Sequence, residues 1–154
     1  MNRNKLGNLL LKNGKIATVE EVIKAGNQTD VQAMCLYDNV VLFDFSPKRK
    51  SYQKAKNWCF NHSGYLPNEQ TVHFIYFHLT EINDIRRKLG LDEIPEDFLA
   101  WTTTALRGNG NYTHINVIYN FRCGKSAITT AESVVLDDCG TASPFSVFGE
   151  AGQE

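Results

Sequence analysis

Ser51-Tyr-Gln-Lys-Ala-Lys-Asn-Trp-Cys-Phe-Asn-His-Ser-Gly-Tyr-Leu-Pro-Asn-Glu69 is the stretch on which the reading of the fold turns. Ser51 stands where a helix N-cap is wanted, because its hydroxyl can accept a free first-turn N–H. Ala55, Trp58 and Cys59 follow at three- and four-residue steps and share one helix face. Gly64 occupies the place of the left-handed residue that ends a helix. Pro67 disfavours helix at Leu66, so the chain turns a corner before a second helix begins. Ala55, Trp58, Cys59, Gly64, Leu66 and Pro67 are therefore structural residues, with Trp58 and Leu66 expected to anchor the helices to the strand that starts at Trp101.

Upstream, two short apolar runs flank Asn13-Gly14, a two-residue hairpin signal. Thr18 and Glu21 form a capping box for a helix over Val19 to Ala25, stopped by Gly26. Val31 to Tyr37 and Val40 to Phe45 read as a second hairpin about Asp38-Asn39. Downstream, Gln70 to Leu89 reads as one long helix. Val72, Ile75, Tyr76, Leu79, Ile82, Ile85 and Leu89 make a single apolar stripe, and Arg86, Arg87 and Lys88 suit the negative end of its dipole. From Tyr112 to Phe121 the chain alternates: Ile115, Val117, Tyr119 and Phe121 on one face, Tyr112, His114, Asn116 and Asn120 on the other, with Ile118 the exception. Gly124-Lys125 turns back into a weaker strand, and Pro144 to Phe148 reads as the last one. Hairpins, two helices and then strands make an α+β pattern.

The length of 154 residues fits one domain with a real core. With 42% hydrophobic and 21% charged residues the chain is globular in composition, and a net charge of −1 carries no electrostatic footprint for nucleic acid. Lys48-Arg49-Lys50 reads as a solvated turn. No apolar run is long enough for a membrane span. The start, Met-Asn-Arg-Asn-Lys-Leu-Gly, lacks the apolar region and cleavage site of a leader, so the expected setting is the cytoplasm, with release by lysis or assembly. Cys35, Cys59, Cys123 and Cys139 are widely spaced, which disfavours zinc and points to buried free thiols.

In order and spacing these motifs resemble a bacterial and phage family of C-type-lectin-fold domains, the Fibrobacter-succinogenes-major-paralogue type, close to the Lcl C-terminal type. Such domains show an Ala-x-x-Trp/Tyr-Cys helix, a Gly-Trp-Arg-Leu-Pro-Thr corner, a second helix, a Tyr-Trp-Ser-Ser-Thr strand and a later Gly-Lys turn. Here Ala55, Trp58 and Cys59 match the first element, and Gly64-Tyr65-Leu66-Pro67-Asn68 the second with one residue fewer. Ala100-Trp101-Thr102-Thr103-Thr104, Gly124-Lys125 and Phe145 to Phe148 match later elements. The match runs from about residue 50 onward. It implies a C-type-lectin-like domain over 31–150, two helices packed on antiparallel strands and hairpins. The Glu-Pro-Asn or Gln-Pro-Asp triplet and the Trp-Asn-Asp strand of calcium-dependent lectins are missing, so the scaffold is expected without that calcium and sugar site.

Residues 1–30 fall before the matching part. They are read as an attachment or oligomerisation segment through Leu6, Leu9, Leu10 and Leu11, unless these leucines pack on the domain's own core. Tyr112, His114, Asn116 and Asn120, with Asn109 and Asn111 in the adjoining loop, combine aromatic and amide groups as paratopes do. They are the candidate partner-binding face, against the alternative of an ordinary half-exposed strand. Cys59 with His62, and Cys123 with His114, have the residue types of a nucleophile pair, but Cys59 falls on the apolar face and Cys123 continues the inward parity of Phe121. His73 and His78 lie on different helix faces, and the acidic loop Asp92, Glu93, Glu96 and Asp97 reads as solvated. Formylglycine-generating enzymes share the broad fold but are much larger.

The expectation is a non-enzymatic virion protein of a bacteriophage, made in the host cytoplasm: a fibre, decoration or receptor-binding component. It would need no cofactor and no metal. Its partners would be other virion proteins, further copies of itself in a homo-oligomer, and a glycan or protein of the host surface. The alternative is an adhesin-like binding domain on the bacterial cell surface or secreted from it.

Overall fold

A computed structural model describes residues 5–106, 115–128 and 142–149. Strand β1 (Leu9–Leu11) turns into β2 (Ile16–Ala17). The turn holds three residues rather than two: Gly14 N–H donates to Leu11 O and Leu11 N–H to Lys15 O, with Gly14 at φ +86°. Helix α1 (Val19–Ala25) has the expected capping box between Thr18 and Glu21, and Gly26 ends it in the left-handed conformation. Strands β3 (Val31–Tyr37) and β4 (Val40–Phe45) form the second hairpin. Helix α2 (Tyr52–Asn61) starts at Ser51, whose hydroxyl accepts from Lys54 N–H.

The long helix expected next is two helices, α3 (Glu69–Phe77) and α4 (Leu79–Lys88), with a break at His78. Val72, Ile75, Ile82, Ile85 and Leu89 all reach the main core across the break, so the apolar stripe is real although the helix is not continuous. Strand β5 (Leu99–Leu106) follows, then β6 (Ile115–Asn120), β7 (Lys125–Ile128) and β8 (Phe145–Phe148). Phe121, expected at the end of a strand, opens the turn between β6 and β7. Among the described residues the fold is α+β, with four α-helices and two antiparallel sheets.

One sheet runs β2-β1-β3-β4-β8 and the other β5-β6-β7. Leu9 pairs with Met34 and Leu10 with Ala33, so residues 5–30 continue the sheet of the later chain rather than standing apart as an attachment segment. Leu9 and Leu11 are buried in the main core, Leu6 packs against it, and Leu10 packs on a small cluster of Ala33, Cys35 and Val41. The four leucines serve the chain's own core.

Residues 142–149 join the two sheets. Strand β8 pairs with β4, Val41 opposite Phe148 and Phe45 opposite Phe145. Tyr65 and Val147 exchange backbone hydrogen bonds of 2.7 and 2.9 Å, Trp101 N–H donates to Ser143 O, and Ser143 N–H donates to Leu99 O. Packing follows the strand pleat. Ala100 and Tyr119 lie opposite each other across β5 and β6 and enter the main core with α3 and α4, while their neighbours Trp101 and Ile118 enter a second core with Ala55, Cys59 and Leu66. The β5–β6–β7 sheet therefore carries α2 on one face and α3 on the other.

The left-handed residue after α2 is Ser63 at φ +74°, not Gly64. Gly64 is needed for a different reason. A Cβ there would lie 2.5 Å from Ser146 Oγ and 2.6 Å from Val147 O, where β8 passes under the corner. Gly64→Ala is expected to lower unfolding stability by about 1–3 kcal/mol, the usual cost of overpacking a fixed backbone. Gly26→Ala, in open space, pays only the left-handed penalty of about 1–2 kcal/mol. Urea denaturation of the two variants checks the order of the losses.

Candidate functional site

The motif residues of the opening stretch meet in one place. Ala55, Cys59, Leu66, Trp101, Ile118 and Ala142 form a single buried cluster, with Trp58 and Tyr52 packed on its rim. Trp101 is fully buried, and its indole N–H donates to Lys50 O at 2.9 Å. The Cys59 thiol points into this interior and donates to Phe145 O at 3.1 Å. Burial pushes it up to about 12, so at neutral pH it is a thiol and not a nucleophile. His62 turns away from it. Its ring stacks on Trp58 with centroids 3.9 Å apart, and Nδ1 lies 2.7 Å from Trp58 O. Cys123, expected inside, is exposed, because the strand ends at Asn120 and the parity of Phe121 does not carry through the turn.

Of the candidate binding face, Asn109, Asn111, Tyr112 and His114 lie outside the described residues. Asn116 is placed in β6 opposite Ala105. Asn120 is half-buried, and its side-chain oxygen accepts from Arg122 N–H in the turn. Between these two, on the same strand face, Ile118 is buried under α2.

A different polar arrangement joins α3 to the β6–β7 hairpin. Glu69 and His73 stand one turn apart on α3, facing Ser126 and Tyr119, which are register partners in the hairpin. Ser126 Oγ donates to Glu69 Oε2. Tyr119 OH donates to Gly124 O at 3.0 Å and lies 2.6 Å from His73 Nδ1. A phenol has one proton, so with that proton on Gly124 O the Tyr119 oxygen is left to accept from His73 Nδ1–H. Burial, with Tyr76, Glu69 and Cys123 nearby, pushes the Tyr119 phenol up. The Ser126 proton goes to Glu69 and not to His73, so the three do not make a serine–histidine relay. The arrangement ties α3 to the β6–β7 hairpin through two side-chain hydrogen bonds.

The acidic loop after α4 does not converge. Arg87 holds Glu93 at 3.0 Å and Asp84 at 3.1 Å, while Asp97 lies 4.0 Å from Arg122. Arg86, one of the three last-turn cations of α4, is only 5% exposed: it donates to Asp92 O and Asp44 and lies over the Phe45 ring. Among the described residues no three His, Cys, Asp or Glu side chains come together as metal ligands. Among them, too, no helix is long and apolar enough to cross a membrane.

Two exposed aromatic regions were missed from sequence. On α2, Phe60 is 75% exposed beside a groove of about 300 Å³ lined by Lys56, Asn57, Phe60, Tyr65, Leu66 and Thr103. Tyr65 also stacks on Phe148. On α3, Phe77 is 73% exposed between two open clefts whose rims hold Thr80, Glu81, Glu96 and Asp97. The signal was available. Phe60 falls off the Ala55/Cys59 face, and Phe77 off the Val72/Ile75/Leu79 stripe, so each is an aromatic with no place in its helix's core.

Comparison of the chain with models of protein families, with curated proteins and with solved structures finds no match.

The thiols differ in a way that labelling can read. A thiol reagent added to the folded protein at neutral pH is expected to modify Cys123 and to leave Cys35 and Cys59 unmodified until denaturant is added. Peptide mapping by mass spectrometry assigns the sites, and labelling of native Cys59 at the rate of Cys123 would contradict the buried thiol described above.

Proposed function

We propose that this chain is a non-enzymatic interaction module with a C-type-lectin-like fold, serving in a bacteriophage particle as a fibre, decoration or receptor-binding component. One observation supports the scaffold assignment most. The residues that carry the family resemblance, Ala55, Cys59, Leu66 and Trp101, are far apart in the sequence yet share one buried cluster. The last strand then returns to pair with the strand that precedes the helices, closing the domain on itself. Function by binding rather than turnover is supported by the spent chemistry of the candidate nucleophile Cys59 and by aromatic side chains left at the surface on two helices. Fold alone does not give function, and the virion assignment comes from the family's usual settings.

Mass spectrometry of purified particles tests the proposal. The chain is expected among the virion proteins, with cross-links to its neighbours in the particle. Its absence from particles, together with its recovery from the bacterial envelope, would replace this reading with that of a surface adhesin. A second prediction concerns the late strand. Alanine at Tyr112, His114 and Asn116 together is expected to weaken particle adsorption or partner binding at least tenfold, about 1.4 kcal/mol. Unchanged binding by the folded variant would make that face ordinary surface.

A further inference from the structure

Arg86 is the one buried charged side chain among the described residues. A guanidinium keeps its charge in a protein and carries five N–H donors. Nε donates to Asp92 O and Nη2 donates to Asp44 Oδ1 at 3.3 Å, while Nη1 has no hydrogen-bond partner among the described residues. Both N–H groups of Nη1 and the second of Nη2 are therefore unmatched. Asp44 makes the only ion pair of Arg86 among the described residues. It is half exposed to water, and its Oδ1 also accepts from Phe45 N–H. Burial pushes the guanidinium below its ordinary pKa, and Asp44 and Asp92 offset that only in part. The charge is buried with fewer partners than its donors can use.

Arg86 and Asp44 line a cavity of about 260 Å³ between α4 and the first sheet, and no other charged side chain lines it. Its remaining walls are mostly apolar. Leu9 is the register partner of Met34, and Met34 that of Leu42, so the three form a row across β1, β3 and β4. Leu89 lines the cavity from the end of α4, and all four belong to the main core. Leu91, 45% exposed, marks the side open to solvent. The space is at the small end for a ligand pocket, where about 300–1,000 Å³ is usual. Water in it satisfies Nη1 but finds few polar partners on the other walls. An inorganic anion answers the charge and leaves the leucines uncovered, whereas an amine meets a like charge. A short alkyl chain ending in a carboxylate answers both demands. Its oxygens accept charge-assisted hydrogen bonds from the guanidinium, and its chain covers the apolar walls.

We infer that this cavity binds a short aliphatic carboxylate, with the carboxylate on Arg86 Nη1 and the alkyl chain along Leu9, Met34, Leu42 and Leu89. Asp44 stays on Nη2, where its access to water weakens its repulsion of the second carboxylate. Either a free short-chain acid or the apolar C-terminal residue of a peptide brings this chemistry. The inference rests on the cavity alone and not on the virion reading, since a chain absent from particles can still bind such a ligand.

Titration calorimetry and methyl NMR of the purified chain at neutral pH test it, with hexanoate, 1-hexanol and hexylamine as probes. Hexanoate is expected to bind saturably and to shift the methyl resonances of Leu9, Met34, Leu42 and Leu89. It is expected to bind about ten- to a hundredfold more tightly than 1-hexanol, the effect of hydrogen bonding to a charged group. Hexylamine is expected not to bind. Arg86→Lys keeps the charge but loses the planar fork, and is expected to weaken hexanoate binding about tenfold. Because position 86 is buried, Asp44→Asn gives an independent reading at a half-exposed position. Its amide oxygen can still accept from Arg86, and loss of the competing negative charge is expected to tighten hexanoate binding several-fold. Circular dichroism confirms that the variants are folded. N-acetyl-leucine separates the two sources: binding tighter than hexanoate assigns the site to a peptide terminus, weaker binding to a free acid. No saturable binding of hexanoate, equal binding of 1-hexanol or hexylamine, or an Asp44→Asn variant that binds hexanoate no more tightly would each overturn the inference.

Discussion

Backbone hydrogen bonds of residues 142–149 hold the two sheets and the helical corner together. This short stretch bonds to β4, to Lys50, to Tyr65 and to both Leu99 and Trp101. Ser146 adds a side-chain hydroxyl that lies 3.3 Å from Cys59 O and 3.1 Å from His62 O, where α2 ends. Each such bond contributes only about 1 kcal/mol net, but leaving its buried partners unpaired costs about 1–3 kcal/mol apiece. The stretch therefore matters more for what its absence would expose than for what it adds. Phe145 gives it an apolar anchor among Phe45, Phe98 and Phe121, with ring centroids 4.5–6.4 Å apart.

The same constraint explains why Gly64 tolerates no side chain and why Cys59 is chemically silent. Both lie where α2 and its corner are pressed against β8, and both give up a property for that closeness. Cys59 loses its reactivity to burial, and position 64 loses its Cβ. The left-handed turn that the glycine was expected to make falls instead to Ser63, the residue before it. Trp101 serves the opposite side of the seam. It fills the space between α2 and β5, and its one polar atom is satisfied by a backbone carbonyl, as a buried indole requires.

Features set by neighbours in sequence were legible from sequence. The Thr18–Glu21 capping box, the Gly26 stop, the Ser51 cap and the turn at Asp38-Asn39 all involve residues within a few positions of each other. The helix break at His78 was not legible, because no proline or glycine marks it and the apolar spacing runs straight through. The burial of Arg86 was not legible either, because its partner Asp44 lies on β4 and the loop carbonyl it meets follows α4. The leucines of β1 looked like a spare apolar surface until β3 was placed beside them. The histidine–tyrosine pair on α3 and β6 required the facing of a helix and a hairpin that spacing does not give. Apart from the break at His78, each miss concerns which element lies against which.

The pairing of β4 with β8 has a consequence for how the chain reaches this state. The two strands are separated by roughly a hundred residues, and contacts so distant in sequence form late because the intervening chain must first be ordered. Until then β4 has an unpaired edge made of Val40, Val41, Leu42 and Phe43, an apolar template open to any other strand. On a ribosome that edge emerges well before its partner does. Nascent chains of this protein therefore pass through an interval in which a neighbour's strand competes with their own, and the crowding of many chains on one message lengthens the odds against correct closure.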